Sequence, residues 1–191
     1  MIRDLLFPDS IYCGSCGAVI DKTRPYGLCD ACVRRFAWAG TKICGKCGRP
    51  LTDPIHPLCR DCRSTDHLFD RGITCTSYGL YERMLLSDYR NGKPWLARHM
   101  AEMLRDRFRL SDLSPDVLIT RDEGMIPVAK HFSRLTGIPR GRKGRTVLLL
   151  TDVYRDGRKE DETAGQLKRE GAEAVYVLSF TAAGDNLPKA W

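Results

Sequence analysis

The chain has 191 residues, 42% hydrophobic and 29% charged, with a formal charge of +7; these values suit one ordinary globular domain with a small one attached. No apolar run approaches the ~18 residues of a membrane span. The opening MIRDLLFPDS has too short an apolar core, and no cleavage pattern, for a secretory signal. Composition thus argues against a membrane-spanning or exported chain, and the expected compartment is the cytoplasm.

First in chain order comes a cysteine repeat. Eight of the nine cysteines form CxxC pairs: Cys13/Cys16, Cys29/Cys32, Cys44/Cys47 and Cys59/Cys62. YCGSCGAVIDKTRPYGLCDACVRR and ICGKCGRPLTDPIHPLCRDCRST align as two copies of one unit, which is the mark of an internal repeat. Two residues between cysteines let one tight turn aim both sulfurs at a single ion, and Gly14, Gly17, Gly45 and Gly48 ease those turns. Two such turns complete a closed tetrathiolate zinc site. With so little apolar material in each repeat, metal binding must supply most of the folding free energy. The expected ligand sets are Cys13, Cys16, Cys29 and Cys32 for one zinc, and Cys44, Cys47, Cys59 and Cys62 for the other; a cross-braced pairing is the alternative. Disulfides or a redox pair fit poorly with four evenly placed pairs and no export signal. His56 and His67 read as surface residues, and the lone Cys75 as a buried strand residue.

Each tetrathiolate zinc site carries a net −2, so two loaded sites lower the formal +7 to +3. Residues 1–70 carry 10 basic against 8 acidic side chains, residues 71–110 carry 8 against 4, and residues 111–191 carry 13 against 12. The excess positive charge therefore follows the cysteine region, which argues against a zinc module that grips DNA.

The texture changes at Asp70, dividing the chain into a double zinc ribbon over residues 1–69 and an α/β domain over residues 70–191. Residues 73–78 read as a strand, and residues 81–89 as a helix with Met84 and Leu85 facing inward. Pro94 opens a helix to about residue 108, striped by Leu96, Met100, Met103 and Leu104. A short strand at 117–120 leads through the TRDEG loop to a helix at 126–135, stopped by Gly137. Residues 146–150 form the next strand, 159–169 a helix and 175–180 a last strand, with a frayed tail after Ala183. Strands alternating with helices predict a parallel sheet covered on both faces. In such sheets ligands bind beyond the carboxyl ends of the strands. Residues 120–124 and 151–159 lie there.

Taken together, FPDSIYCGSCG, the paired CGxCG…CxxC units, FDRGITCTSYG, DYRNGKPWLARHMAEML and VLLLTDVYRDG…LKREGAEAVYVLSF resemble the competence-protein ComF family over most of the chain. The resemblance implies a double zinc ribbon joined to a type I phosphoribosyltransferase-like domain that binds phosphoribosyl pyrophosphate with Mg²⁺. In that family two acids after the strand face the ribose hydroxyls, and a Thr/Gly-rich turn wraps the 5′-phosphate. A helix N-terminus with short hydroxyls makes such an anion cradle. Carried over, Asp152 orients the ribose, Arg121 or Arg140 steadies the leaving group, and Gly124, Arg155, Gly157, Arg158 and Lys159 contact phosphate. The chain departs from the pattern at Thr151, which replaces the first acid, and at Arg155, Asp156 and Lys159, which replace threonines. Asp156 would compete with phosphate for N–H donors or cap the helix, beside Glu160, Asp161 and Glu162. Asp88 replaces a common lysine, and RGRKGR (residues 140–145) is all that stands where the family has a substrate hood, whose loss harms catalysis.

Three functions remain open. The first is a protein with weak or absent catalysis that binds nucleic acid or nucleotides in DNA uptake. Single-stranded DNA would then meet RGRKGR with Arg90, Lys93, Arg98, Arg105, Arg107 and Arg109, without an aromatic stacking platform. The second is an active Mg²⁺-dependent phosphoribosyltransferase acting on a phosphorylated ribose. The third is a scaffold whose ribbons bind a protein partner.

Overall fold

The computed structural model describes residues 11–21, 23–53 and 55–183. The expected frayed tail lies outside them. Short helices α1 (Asp30–Val33) and α2 (Arg60–Ser64) each carry the last cysteine of a repeat. The α/β part then runs β1 (Arg71–Ser77), α3 (Leu80–Arg90), α4 (Leu96–Arg109), β2 (Val117–Ile119), α5 (Ile126–Thr136), β3 (Thr146–Tyr154), α6 (Arg158–Arg169) and β4 (Ala174–Ala182). The four strands form one parallel sheet in the order β1-β4-β3-β2. The α/β parallel-sheet fold read from the sequence is the one observed.

Strand pleating sorts the apolar residues between two cores. Leu148, Leu150, Leu178, Phe180, Ile73 and Cys75 face one way, against α4, α5 and the first ribbon (Cys13, Leu28, Cys32 and Phe36). Val147, Leu149, Val175 and Val177 face the other, against Ala164 and Leu167 of α6 and the cysteines of the second ribbon. The two repeats thus pack on opposite faces of one sheet. Leu96, Met100, Met103 and Leu104 are all fully buried on α4. At roughly 1.5–3 kcal/mol each they contribute gross burial on the order of 10 kcal/mol. Gly137 closes α5 in the left-handed region at φ 78°, where a side chain would be strained.

Both sheet edges are covered, which removes unpaired N–H and C=O groups. Residues 37–39 lie antiparallel to β1 through Trp38 and Thr76, and Arg140 bridges Leu118 on the outer edge of β2. RGRKGR is therefore fastened beside β2. Gly141 donates to the Leu118 carbonyl, and a Cβ on Gly144 would meet Asp116 and Val117.

Three expectations need correction. Met84 is exposed, and Leu86 joins Leu85 in the core, because the inward stripe of α3 is set one residue later. His67 is buried rather than superficial; its ring stacks on Phe69 with centroids 4.9 Å apart. Strand β3 does not end at Leu150. Pairing with β4 continues through Thr151–Ser179, Val153–Thr181 and Tyr154–Ala182, so Asp152 belongs to the strand and the loop shrinks to residues 155–157. Cys75 is buried as read, and burial pushes its thiol up to about 12.

Candidate functional site

The four cysteines of each repeat converge, with ligand sulfurs within 4.8 Å of one another. The pairing is sequential, as the repeat predicts. A zinc ion with Zn–S bonds of about 2.3 Å requires sulfurs about 3.8 Å apart at the corners of a tetrahedron. Cys16–Cys29 and Cys47–Cys59 are each separated by 3.7 Å, so the donor sets fit two zinc ions.

The copies agree bond by bond. Cys29 N–H donates to Cys13 Sγ and Cys59 N–H to Cys44 Sγ, both at 3.3 Å. Gly17 N–H reaches the Cys13 carbonyl and Gly48 N–H the Cys44 carbonyl, both at 2.9 Å. Burial opposes a thiolate at Cys13, but backbone N–H groups of Cys16 and Cys29 outweigh it and bring the thiol down to about 7, which readies a sulfur for metal. The sites differ in exposure. Cys16 of the first is exposed and Cys29 partly so, whereas all four ligands of the second are buried.

At the carboxyl end of the sheet, Asp152 on β3 and the turn over Glu123–Met125 come together, as the sequence predicts for those two stretches. Asp122 accepts the Gly124 N–H at 2.9 Å and caps that turn. Two residues the sequence reading did not assign to this site complete it, both from the end of α3. Tyr89 donates its hydroxyl to the Gly124 carbonyl. Arg90 places its guanidinium on the Asp152 carboxylate. Burial, then the Asp122 carboxylate, pushes the Tyr89 phenol up, so it stays a donor. The cleft between Leu86, Tyr89, Arg90, Asp122, Gly124, Met125 and Asp152 has a volume of about 10 Å³, no more than one water needs.

Gly157, at φ 83°, is the N-cap of α6. Asp156 performs the capping bond one residue early, accepting the Arg158 N–H at 3.1 Å. The carboxylate that is buried here belongs to Glu160, not Asp156. Burial pushes the Glu160 acid up, while its own N–H and the Thr151 side chain act in the opposite direction. An acidic side chain of the protein itself is therefore buried in the first turn of α6. Arg158 and Lys159 are exposed, as are Arg121 and Arg140; neither Arg121 nor Arg140 lines the cleft.

The underside of the loop is covered by the second ribbon. Arg49, only 1% exposed, binds Asp61 at 3.0 Å and the Arg155 carbonyl, with its guanidinium 5.2 Å from the Tyr154 ring centre. Burial works against the Arg49 charge, but the sulfurs of Cys47 and Cys59, with Tyr154 and Asp61, hold it protonated. His67 Nδ1 lies 2.7 Å from Asp161. One signal for Arg49 was visible: the residue after CGxCG is Ala18 in the first repeat and Arg49 in the second.

Most of the cations assigned to nucleic acid are engaged internally. Besides Arg90, Lys93 pairs with Asp88, Arg98 with Glu102 and Arg105 with Asp106. Arg107 donates to the Thr74 carbonyl, and Arg145 pairs with Glu173. Among the described residues no helix is long and apolar enough to cross a membrane.

Residues 2–80 match the double zinc ribbon domain. No curated protein matches the chain. Among solved structures, the UMP synthase of Leishmania donovani is similar at a TM-score of 0.39 and 17% identity, over 52% of this chain and 25% of that one. The likeness therefore spans a quarter of that protein's length.

Proposed function

We propose that the chain is a ComF-like protein whose phosphoribosyltransferase-type domain has weak or absent catalysis and serves nucleic-acid or nucleotide binding, as in DNA uptake. The observation that carries this reading is Arg90 on Asp152. Asp152 is the one acid left to hold ribose hydroxyls, and a neighbouring guanidinium already satisfies it. A ligand or Mg²⁺ ion would have to displace this pair, whose guanidinium is more than half exposed and which is worth roughly 0.2–1 kcal/mol. It would also have to open a cleft of about 10 Å³.

The nucleic-acid part of the reading rests on Arg140, Arg142 and Lys143, which are exposed and follow on from the bridge of Arg140 to Leu118 beside β2. Three phosphate contacts give a salt slope of about −2 for a single strand, at ~0.7 per contact. Two assays test the proposal. Pyrophosphate release from phosphoribosyl pyrophosphate with Mg²⁺ should stay at or barely above the level of a protein-free blank, far below the turnover of about 1 per second at the low end for enzymes. Anisotropy of a labelled single strand should report binding that weakens with salt at that slope and is lost in the combined Arg140→Gln, Arg142→Gln, Lys143→Gln variant. Turnover at that rate or faster favours the alternative, an active phosphoribosyltransferase, for which the support is the convergence of Asp152 and Gly124 on one cleft. Single-strand binding that ignores salt and the triple substitution would sink the nucleic-acid assignment.

A further inference from the structure

The tandem repeat is asymmetric in one respect: among the described residues, only the second copy reaches the loop that follows β3. We infer that the second zinc ribbon is an internal clamp, with Arg49 and His67 as positioning residues that fix the conformation of residues 155–161. The inference holds whether or not a phosphorylated ligand binds that loop.

Two parts of the ribbon, Arg49 and the His67–Leu68 segment, meet the loop at three points. At its start, Arg49 holds the Arg155 carbonyl. The other side of the guanidinium binds Asp61 at 3.0 Å, which lies on α2 between the ligands Cys59 and Cys62. At the apex, Gly157 sits so close to His67 and Tyr154 that a Cβ would lie 2.6 Å from His67 Cε1 and 2.6 Å from the Tyr154 hydroxyl. In the first turn of α6, both oxygens of Asp161 are taken, one by His67 Nδ1 and one by the Leu68 N–H, each at 2.7 Å.

The charges explain why the clamp depends on the metal site. A guanidinium almost wholly removed from water needs a negative partner. The tetrathiolate site beside it supplies a net −2 when loaded, and Asp61 supplies one charge more. Without metal, the four-residue knuckle and five-residue α2 have too little apolar packing to stay folded, and the positions of Arg49 and Asp61 would be lost with them. The first repeat has Ala18 at the matching position and packs on the opposite face of the sheet, away from the loop.

Hydrogen exchange read by mass spectrometry on the zinc-loaded full chain tests the clamp. Arg49→Gln and, separately, His67→Asn should each retain two zinc ions per chain. Each should speed exchange of the peptide covering residues 155–161 by about ten-fold or more, the effect of losing a hydrogen bond to a charged group. Cys16→Ser, which breaks the first site, should leave that peptide unchanged while exposing residues around the first ribbon. If Arg49→Gln does not fold, His67→Asn carries the same criterion alone. Unaltered loop exchange in every folded variant of Arg49 and His67 overturns the inference. Equal acceleration by Cys16→Ser overturns it as well.

Discussion

The repeat supplies its own control experiment in Gly17 and Gly48, which occupy the same position in the two knuckles. Their backbones match, at φ 72° and 74°, so Ala at either position is strained by roughly 1–2 kcal/mol. Their surroundings do not match. A Cβ on Gly17 meets nothing within 4 Å, whereas one on Gly48 would lie 2.5 Å from the Gly72 carbonyl oxygen and 2.8 Å from Ile73 Cα. Those atoms are backbone at the start of β1 and cannot swing aside. Overpacking of that kind adds about 1–3 kcal/mol, so Gly48→Ala should destabilise by ~2–5 kcal/mol and Gly17→Ala by ~1–2. Urea unfolding of the zinc-loaded proteins measures both. With a slope near 2 kcal/mol/M, the midpoint of Gly48→Ala should fall about 0.5–1.5 M below that of Gly17→Ala. Equal midpoints would refute the direct seating of the second knuckle on β1.

Other outcomes follow from the same geometry. Glu82 is buried and accepts the Ala37 N–H at 2.8 Å; burial raises its acid above the ordinary 4.5, against the pull of N–H groups including that of Ala37. The folded state therefore binds the proton more tightly than the unfolded one, and stability is lost as pH rises from 4.5 through the folded value. Glu82→Gln removes this dependence, so the difference in urea midpoint between variant and parent should shift in the variant's favour from pH 4.5 to 7; a constant difference would contradict the assignment. Zinc release to a chromogenic chelator should show two phases, the faster from the site with exposed Cys16, and Cys16→Ser should remove the fast phase alone.

Much of this was legible in the sequence, for reasons that differ by region. Cysteine spacing encodes a metal site locally, so the eight ligands could be read directly, and the structure decides for sequential over cross-braced pairing. The apolar stripe of α4 encodes burial at the helix period and the unbroken apolar run of residues 147–150 a buried strand, and both elements begin close to where they were predicted. The end of β3 was not legible, because Thr151, Asp152 and Val153 have no apolar run; pairing with β4 extends the strand through them. Arg90 reads as a cation that meets nucleic acid, and Arg49 is given no role. Nothing in a single sequence says that α3 ends beside Asp152, or that a repeat cysteine turn docks beneath the loop after β3. His67 was misread for the same reason, since its partner Asp161 lies 94 positions away.

The central claim is that side chains of the protein itself already fill the strand-end site. Calorimetric titration with phosphoribosyl pyrophosphate and Mg²⁺ addresses it most directly, comparing the parent chain with Arg90→Ala. No saturable heat is expected from the parent at millimolar ligand, with any Mg²⁺-dependent binding appearing only once Arg90 is removed from Asp152. Saturable, Mg²⁺-dependent binding by the parent, unchanged in Arg90→Ala, would contradict it.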